Sequence, residues 1–298
     1  MEAIIYQVDA FTNKPFGGNP AGVVPDAKNL SEKDMQKIAN EMNLSETAFV
    51  KKIDEDSFEV RFFTPKCEVD LCGHATIATF YVLGKKGYIR HQGRGSVTIT
   101  QKTKAGLLPV ELYFESDDII KVLMHQGKPE VFGRVKDIDE ISKILGICKE
   151  QIGINNFNLE PEIISTGLKD IIVPVKDEET LKSLKIDFQS MDHYCTKRDS
   201  VGMHVFTLDN LSGDIVHCRN FAPSLGIYEE AATGTANGAL IYYMKKNNML
   251  KVNSILANQG IYMNRPSKIL CEIHETEEDN IIKVGGNAVI VMEGVIKF

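Results

Sequence analysis

A short pattern occurs twice in this chain and constrains the fold more than any other feature. Residues 61–65 read Arg-Phe-Phe-Thr-Pro, and residues 219–223 read Arg-Asn-Phe-Ala-Pro. Each copy is followed by a glycine and then by an apolar stretch that ends in two lysines, over residues 73–86 and 234–246. The copies lie about half of the 298-residue chain apart, so the repeated unit is a whole domain and not a short solenoid module.

The two apolar stretches predict helices of an unusual kind. Residues 75–83 and 236–244 are apolar on nearly all sides, whereas a surface helix carries a single apolar stripe. Stretches of this length are too short to cross a membrane, so protein must enclose them, and the neighbouring strands are the candidates for this cover. The sequence therefore predicts an α+β fold with two pseudo-symmetric domains, each a curled, mostly antiparallel sheet around a central buried helix.

The length of the chain and its breaks locate the two domains. A chain of 298 residues fits two domains of about 150 residues each. The segment Gly127-Lys128-Pro129 is a break, and a new helix is predicted after it. We predict an N-terminal domain over residues 1–125 and a C-terminal domain over residues 126–286, with the final strand, 287–298, returning to the first domain.

Charge and cysteine pattern limit the partners and the compartment. The formal net charge is −7 and no run of consecutive basic residues is longer than two, so no nucleic-acid partner is expected. The six cysteines are dispersed without a Cys-x-x-Cys pair, no 18-residue apolar run occurs, and the first residues do not resemble a signal peptide. These features predict a cytoplasmic protein with free thiols and no membrane partner.

Common cofactor and metal signatures are absent from the sequence. It has no Gly-x-Gly-x-x-Gly after a strand, no Gly-Lys-Ser/Thr loop and no His-Glu-x-x-His, and its seven histidines are dispersed. Neither a nucleotide cofactor nor a metal is therefore expected. Proton transfer by side chains remains as the available chemistry.

Both predicted helices begin at a glycine after a loop, at Gly73-His74 and at Gly234-Thr235. A helix N-terminus exposes unpaired N–H groups and the positive end of the helix dipole, and glycine lets a ligand approach the backbone closely. Two such ends that face one cleft would bind an anion, most simply a substrate carboxylate. The alternative, that both glycines are only turn residues, stays open on this pattern alone.

Six segments along nearly the whole chain resemble the PhzF-like family of phenazine-biosynthesis proteins. They are Asp-Ala-Phe-Thr at 9–12, Phe-Gly-Gly-Asn-Pro-Ala-Gly-Val at 16–23, Asn-Leu-Ser-Glu-Thr-Ala-Phe at 43–49, Cys-Gly-His-Ala-Thr at 72–76, Ala-Thr-Gly-Thr-Ala at 232–236 and Gln-Gly-Ile-Tyr-Met-Asn-Arg-Pro-Ser at 259–267. The resemblance implies the diaminopimelate-epimerase-like fold, a homodimer and no cofactor. The founding activity of the family isomerises a dihydro-3-hydroxyanthranilate by moving a proton, so the resemblance implies an isomerase or epimerase that acts on a small anionic metabolite in the interdomain cleft.

The family motifs also imply roles for individual residues. Glu46 matches the catalytic carboxylate, and His74 matches the histidine at the start of the first helix. An enclosed carboxyl group is expected to have a raised pKa, and the helix dipole is expected to keep His74 neutral. Substrate contacts are implied for Asn19, Gly73, Thr233, Gly234 and Thr235.

The loop before the second helix departs from the family pattern. The family has Glu-Asp-Pro-Ala-Thr-Gly, whereas this chain has Glu-Glu-Ala-Ala-Thr-Gly over residues 229–234. Glu230 is one methylene longer than the expected Asp, and Ala231 is expected to make the loop less rigid than Pro does. Glu230 is a third candidate catalytic residue. The departures leave a non-catalytic carboxylate-binding protein as the alternative to an isomerase.

Two mechanisms that use Cys72 are disfavoured. Related epimerases have a cysteine at each helix start, but Thr233 occupies the second place, and a hydroxyl is far less acidic than a thiol. A hydrolase with Cys72 and His74 is also disfavoured, because side chains two positions apart at a helix start are not expected to face each other. Cys72 is predicted to be a buried structural thiol.

Overall fold

The structure is a computed structural model that describes residues 2–155, 157, 159–209, 214–276 and 279–298. Over these residues the chain forms six α-helices, α1 (Glu32–Met42), α2 (Gly73–Lys85), α3 (Ile138–Leu145), α4 (Glu178–Ser183), α5 (Phe188–Thr196) and α6 (Gly234–Lys246). The strands of the same residues are β1 (Glu2–Ala10), β2 (Asn19–Val24), β3 (Glu46–Lys52), β4 (Ser57–Phe63), β5 (Glu68–Val69), β6 (Gly95–Thr103), β7 (Gly106–Glu115), β8 (Asp118–His125), β9 (Glu130–Arg134), β10 (Glu162–Ser165), β11 (Lys169–Pro174), β12 (Gly202–Leu208), β13 (Ile215–Ala222), β14 (Ile227–Glu230), β15 (Ser254–Gln259), β16 (Ser267–Glu275), β17 (Asn280–Gly286) and β18 (Ala288–Lys297). This is the α+β composition predicted from the sequence.

The chain divides into two compact units. Unit 1 comprises Met1–His125 together with Gly285–Phe298, and unit 2 comprises Gln126–Val284. The last strand, β18, belongs to unit 1, where it pairs antiparallel with β1 from Glu2 to Ala10. Unit 2 is therefore inserted, in sequence, between two parts of unit 1.

Each unit is built on one sheet, and the two sheets join their strands in the same succession. In unit 1 the neighbours run β18, β1, β2, β3, β4, β6 and β7. In unit 2 they run β9, β10, β11, β12, β13, β15 and β16. In both runs the third and fifth pairs of neighbouring strands are parallel, and the other four pairs are antiparallel. The mostly antiparallel sheets predicted from the sequence are confirmed.

A buried helix packs against each sheet. In α2 nearly every side chain from His74 to Leu83 is buried, and the helix contacts β1, β2, β3, β7, β8 and β18. In α6 burial is equally even around the helix, which contacts β10, β11, β12, β15 and β16. The absence of a single apolar stripe in the sequence thus predicted the enclosure of both helices correctly. None of the helices in the described part of the chain is long and apolar enough to cross a membrane.

The other face of each sheet carries a second helical layer. In unit 1 this layer is α1, whose Ile38 packs in one cluster with Phe49 and Phe63 of the sheet. Ser31 caps α1: its hydroxyl accepts from the Asp34 N–H, and the Asp34 carboxylate accepts from the Ser31 N–H. In unit 2 the layer is formed by α3, α4 and α5, which bury their apolar side chains against β11 and β12.

The repeated Arg-x-Phe-x-Pro pattern has the same structural role in both units. Arg61 donates two hydrogen bonds to the Glu68 carboxylate, at 2.8 and 2.7 Å. Arg219 donates two to the Glu229 carboxylate, both at 2.8 Å. Each guanidinium carbon also lies over the ring two residues later, 5.2 and 5.0 Å from its centroid, because residues i and i+2 share one face of a strand. These paired contacts fasten the segment that leads to each buried helix.

Candidate active site

Glu46 and His74 meet at the start of α2. Glu46 is the first residue of β3, and its partner on the parallel strand β2 is Ala21. The helix begins at Gly73, with Cys72 as its N-cap. Since side chains alternate along a strand, this register turns Glu46 toward the face that α2 covers, and Glu46 Oε2 lies 3.1 Å from His74 Nε2.

The pair is enclosed and has further polar neighbours. The side chains of Glu46 and His74 are 18% and 5% exposed. Ser45 Oγ lies 3.3 Å from His74 Nε2, and Cys72 Sγ lies 3.4 Å from His74 Nδ1. Both ring nitrogens therefore have polar contacts that orient the imidazole, while Glu46 keeps a small exposed fraction that leaves it accessible to a small ligand.

These contacts decide the protonation of both groups. Burial raises the pKa of Glu46, but the contacts with His74, Cys72 and Ser45 outweigh burial, so the pKa of Glu46 lies below its ordinary value. Burial lowers the pKa of His74, but the contacts with Cys72 and Glu46 outweigh it, so the pKa of His74 lies well above its ordinary value. Two predictions from the sequence are therefore wrong. Both shifts run opposite to these expectations and favour a carboxylate beside an imidazolium, because a close opposite charge counters desolvation and the helix dipole.

Cys72 is a buried thiol that touches the histidine. Burial raises the pKa of Cys72 to about 11, and the Glu46 charge acts in the same direction, so the thiol stays protonated at neutral pH and is a poor nucleophile. The prediction that Cys72 and His74 do not face each other is wrong. As the N-cap, Cys72 has φ −141° and ψ 119°, and this extended backbone turns its side chain toward the ring.

Glu46, Cys72 and His74 are also the residues of this site that could hold a metal ion. One donor atom from each lies within 4.8 Å of the others. Oxygen, sulfur and nitrogen donors of this kind suit zinc, although the positive end of the α2 dipole disfavours a cation at this position. Sequence spacing does not reveal this cluster, because Glu46 comes from β3 and the other two come from the start of α2.

Asn19, a predicted substrate contact, lies on the same face of the unit 1 sheet as Glu46. It is the first residue of β2 and is 6% exposed. It precedes by two positions Ala21, the cross-strand partner of Glu46, and such positions share a face. The preceding Gly18 has φ +63°, and a Cβ there would lie 2.1 Å from the Ala10 carbonyl oxygen. Glycine is therefore required to bring the chain to Asn19.

The start of α6 in unit 2 is held by a buried glutamine. The Gln259 side-chain nitrogen donates to the Glu230 carbonyl oxygen at 2.8 Å and to the Thr233 hydroxyl at 3.1 Å. The Gln259 side-chain oxygen accepts from the Asn237 side chain at 2.8 Å. The Thr233 hydroxyl in turn donates to the Glu230 carboxylate at 2.9 Å. Glu230 and Thr233 are therefore brought together, as parts of one hydrogen-bonded network.

The loop at Ala231 is tied in place by hydrogen bonds. Its carbonyl oxygen accepts from the Ser267 hydroxyl at 2.7 Å, and the neighbouring Glu230 carbonyl is bound by Gln259. The looser loop that the absence of proline suggested is thus compensated by two side chains from β15 and β16.

Gly234 and Thr235 form the first turn of α6. The Thr235 carbonyl oxygen accepts from the Thr166 hydroxyl at 2.9 Å. A Cβ on the adjacent Gly167 would lie 3.0 Å from the Thr235 methyl carbon. The segment between β10 and β11 therefore packs closely on this turn.

Ser45, Asn237 and Gln259 are site residues that the sequence reasoning did not single out. Asn237 is fully buried within an otherwise apolar helix, and this was a usable signal, because a buried amide needs hydrogen-bond partners. Gln259 stands at the head of a motif, at residues 259–267, that was noted only as a whole. Ser45 has no signal of its own beyond its place next to Glu46.

A sheet packed on a buried helix, with Glu46 and His74 in contact at the helix start, is thus the setting of the candidate site. A solved structure described as a predicted epimerase from Pseudomonas aeruginosa shares this fold, with a TM-score of 0.78 and 21% identity over 99% of both chains. The family model described as phenazine biosynthesis-like protein matches residues 8–294. The chain belongs to this family, and the PhzF-like resemblance is confirmed.

Two further relatives extend the comparison. An uncharacterized isomerase of Clostridium acetobutylicum is 37% identical over 297 residues, which cover 97% of this chain and 96% of the relative. The crystal structure of a PhzF-family phenazine biosynthesis protein from Bacillus anthracis has a TM-score of 0.86 and 27% identity, and the match covers 100% of both chains. Together with the family, these relatives give the enzyme class as isomerase.

Proposed function

We propose that this protein moves a carbon-bound proton on a small, carboxylate-bearing substrate, with Glu46 as the acid–base residue. The observation that carries the proposal is the 3.1 Å contact between Glu46 Oε2 and His74 Nε2 at the first turn of α2. A carboxylate in its basic form is ready to accept a proton, and the imidazolium beside it is a hydrogen-bond donor.

The proton passes from substrate carbon to Glu46 and back to the substrate. Glu46 takes the proton from the carbon next to the substrate carboxylate, and the electron pair of the broken C–H bond stays in the substrate as an enolate-like anion. His74 and the N–H groups at the start of α2 stabilise the developing negative charge. Glu46 then returns the proton to a different position of the substrate, where the electron pair of the enolate-like anion forms the new bond. The product is an isomer, because no atom is gained or lost and the proton has moved.

The binding residues of the proposal recognise the negative charge of the substrate. Gly73 begins α2, Asn19 lies on the Glu46 face of its sheet, and Gly234 with Thr235 begins α6. Helix starts favour anions, which supports a small anionic metabolite as substrate. The steps use side chains and substrate and call for no cofactor. The interdomain cleft and the homodimer implied by the family resemblance stay predictions.

Glu230 favours a second candidate function, carboxylate binding without turnover. Its carboxylate accepts a hydrogen bond from the Thr233 hydroxyl at 2.9 Å, and a carboxylate held in this way is less available for proton transfer. In the main proposal Glu230 assists Glu46 as an additional acid–base residue. In the second candidate it only shapes the binding site.

Deuterium exchange separates the two candidates. The protein is incubated in deuterated water with a panel of small amino and hydroxy acids, and deuterium bound to carbon is recorded by NMR. We expect the wild type to exchange at least one acid, and Glu46→Gln to lose about a thousandfold in rate while binding persists. Glu59→Gln is the matched control, since Glu59 lies on β4 with 38% of its side chain exposed. Binding of an acid by the wild type without exchange would establish the second candidate.

A further inference from the structure

Asp170 is a buried carboxyl group in unit 2 that the proposed mechanism does not use. It lies on β11 and is 1% exposed. Within the described part of the chain, its Oδ1 atom has no hydrogen-bond partner. A buried carboxylate without a partner is costly, so the group either keeps a proton or serves a ligand.

The sheet register gives Asp170 a place that corresponds to the place of Glu46. Glu46 on β3 pairs with Ala21 on the parallel strand β2. Asp170 on β11 pairs with Gly202 on the parallel strand β12. Both pairs join the third and fourth strands of the successions given for the two units. Each unit therefore has one acidic residue in this cross-strand row, but on opposite strands of the pair.

The repeated pattern shows that the two rows correspond. Thr47, the residue after Glu46, pairs with Phe63 on β4. Met203, the residue after Gly202, pairs with Phe221 on β13. Phe63 and Phe221 hold the same position in the two Arg-x-Phe-x-Pro copies, so the rows before them are equivalent.

Gly202 explains why the acid changes strand. A Cβ at Gly202 would lie 1.8 Å from the Phe221 carbonyl oxygen, which is far inside van der Waals contact. In unit 2 this row therefore has no room for a side chain on β12, and an acidic residue in it must come from β11.

Glu230 is the charged group that acts on Asp170. Burial raises the pKa of Asp170 to about 7, and the Glu230 charge adds to the increase. Both residues thus contribute to one site near the start of α6, where Thr233 and Gln259 already hold Glu230.

Among the residues that the structure describes, the other titratable groups around Asp170 bring no compensating positive charge. On α5, burial raises the pKa of Cys195, and the Asp170 charge adds to this increase. On β12, burial lowers the pKa of His204 to about 4, so its ring is neutral at pH 7. On β10, Glu162 is already ion-paired with Lys246.

We propose that Asp170 is a positioning residue that keeps its proton below neutral pH and so leaves Glu230 as the negative charge of this pair at the start of α6. This inference rests on the proposed function, because an anionic substrate approaches one carboxylate more readily than two. Loss of the Asp170 proton adds a second negative charge, which repels the substrate and lowers turnover.

Unfolding experiments at different pH values test whether Asp170 holds a proton in the folded protein, and they need no substrate. Asp170→Asn has the shape and charge of the protonated acid. The folded protein holds the Asp170 proton up to about pH 7, whereas the unfolded chain releases it near pH 3.8. Binding of this proton therefore stabilises the folded state fully below pH 3.8. This stabilisation is lost as the pH rises from 3.8 to about 7. We expect the denaturation midpoint of Asp170→Asn to rise relative to the wild type across this range and then to level off.

Asp139→Asn is the matched control, since Asp139 is an unburied carboxylate of unit 2 with 74% of its side chain exposed. Its midpoint difference from the wild type is expected to stay constant with pH. Infrared difference spectra of the wild type are expected to show the C=O band of a protonated carboxyl group that titrates near neutral pH, and Asp170→Asn to lack this band. A pH-independent midpoint difference for Asp170→Asn, or the absence of the band from the wild type, overturns the proposal.

The exchange assay then connects the proton to turnover. We expect Asp170→Asn to keep deuterium exchange at pH 6 and to shift the alkaline loss of exchange to higher pH by at least one unit, since one pH unit is a tenfold change in protonation. An unshifted profile with full exchange overturns the positioning role. If the band and the midpoint shift are present but Glu46→Gln exchanges normally, the proposed function is wrong, whereas the inference that Asp170 holds a proton in the folded protein is retained.

Discussion

The start of α2 and the start of α6 share a backbone arrangement and differ in their side chains. Each helix follows an extended N-cap residue, Cys72 with φ −141° and Thr233 with φ −126°, and neither side chain caps the helix. At α2 the surrounding side chains form a carboxylate–imidazolium pair. At α6 they form a network of amides and hydroxyls around Gln259. A repeated architecture therefore provides two similar anion-favouring ends, which the side chains adapt to different tasks.

The difference predicts which helix start performs the chemistry. A paired acid and base can exchange a proton with a ligand, whereas an amide network can only position groups. The charged pair should also make the stability of unit 1 depend on pH through Glu46 and His74, whereas the hydrogen bonds made by Gln259 should contribute equally at all ordinary pH values. Five variants test this comparison.

The largest effect is expected at the two glutamates. Glu46→Gln should lose about a thousandfold in deuterium exchange, because the amide cannot accept the proton. Glu230→Gln should lose about tenfold, because it removes the assisting acid–base group and leaves Glu46 and His74 intact. NMR exchange rates on the same acid measure both. Equal losses in the two variants would show that the helix starts share the chemistry.

The next effect is the pH-dependent stability of the ion pair. His74→Gln should destabilise the protein by about 3 kcal/mol, since it leaves a buried carboxylate without its partner. The Glu46 contribution is present above pH 4.5 and is lost as pH falls through its lowered folded pKa. The His74 contribution is complete below pH 6.5 and is lost as pH rises through its raised folded pKa. The destabilisation caused by His74→Gln should therefore be greatest between pH 4.5 and pH 6.5.

Urea unfolding at a series of pH values measures this profile. His274→Gln is the control, because the side chain of His274 is 50% exposed. A stability loss in His74→Gln that does not vary with pH would remove the contrast between a charged and a neutral helix start.

A smaller effect is expected in the amide network. Gln259→Ala should destabilise the protein by about 2 kcal/mol, because Thr233, Asn237 and the Glu230 carbonyl lose buried hydrogen bonds. The loss should be the same at every pH from 5 to 8, since it involves no change of charge within about that range. Urea midpoints measure it, with the exposed Gln189→Ala as control. A strong pH dependence would mean that the network carries a titrating group.

The smallest effect is expected at the thiol. Cys72→Ser should change the exchange rate by less than about tenfold, because the buried thiol is protonated at neutral pH and its contact with His74 is retained by a hydroxyl. Cys67→Ser, at an exposed cysteine, is the control. A loss as large as that of Glu46→Gln would assign the thiol a part in the reaction.

The sequence predicts the enclosed helices because the apolar composition of each stretch indicates burial on all sides. A stretch such as residues 75–83, apolar on nearly every side, has no stable place except inside a sheet or a membrane. Alternation of apolar and more polar residues along β4, at Phe58, Val60 and Phe62, is a signal of the same local kind. These features depend on residues close together in the chain, so local patterns are sufficient.

The chemistry of the site depends on contacts between distant residues and was predicted less well. The protonation of Glu46 and His74 follows from a separation of 3.1 Å between residues on β3 and α2, and no local pattern contains that distance. The contact of Cys72 with His74 follows from an N-cap backbone that is extended instead of helical. The Gln259 network joins β15 to the start of α6, and the sequence does not show which buried partners will meet.

The position of β18 has a consequence for how the chain acquires its structure during synthesis. Because β18 pairs with β1 and follows all of unit 2 in sequence, the ribosome releases every strand of unit 2 before the one that completes unit 1. Domains generally fold as they emerge, starting from the N-terminus, but here β1 must wait for β18. During that interval one edge of β1 has no neighbour, which makes the nascent chain vulnerable to mispairing at β1.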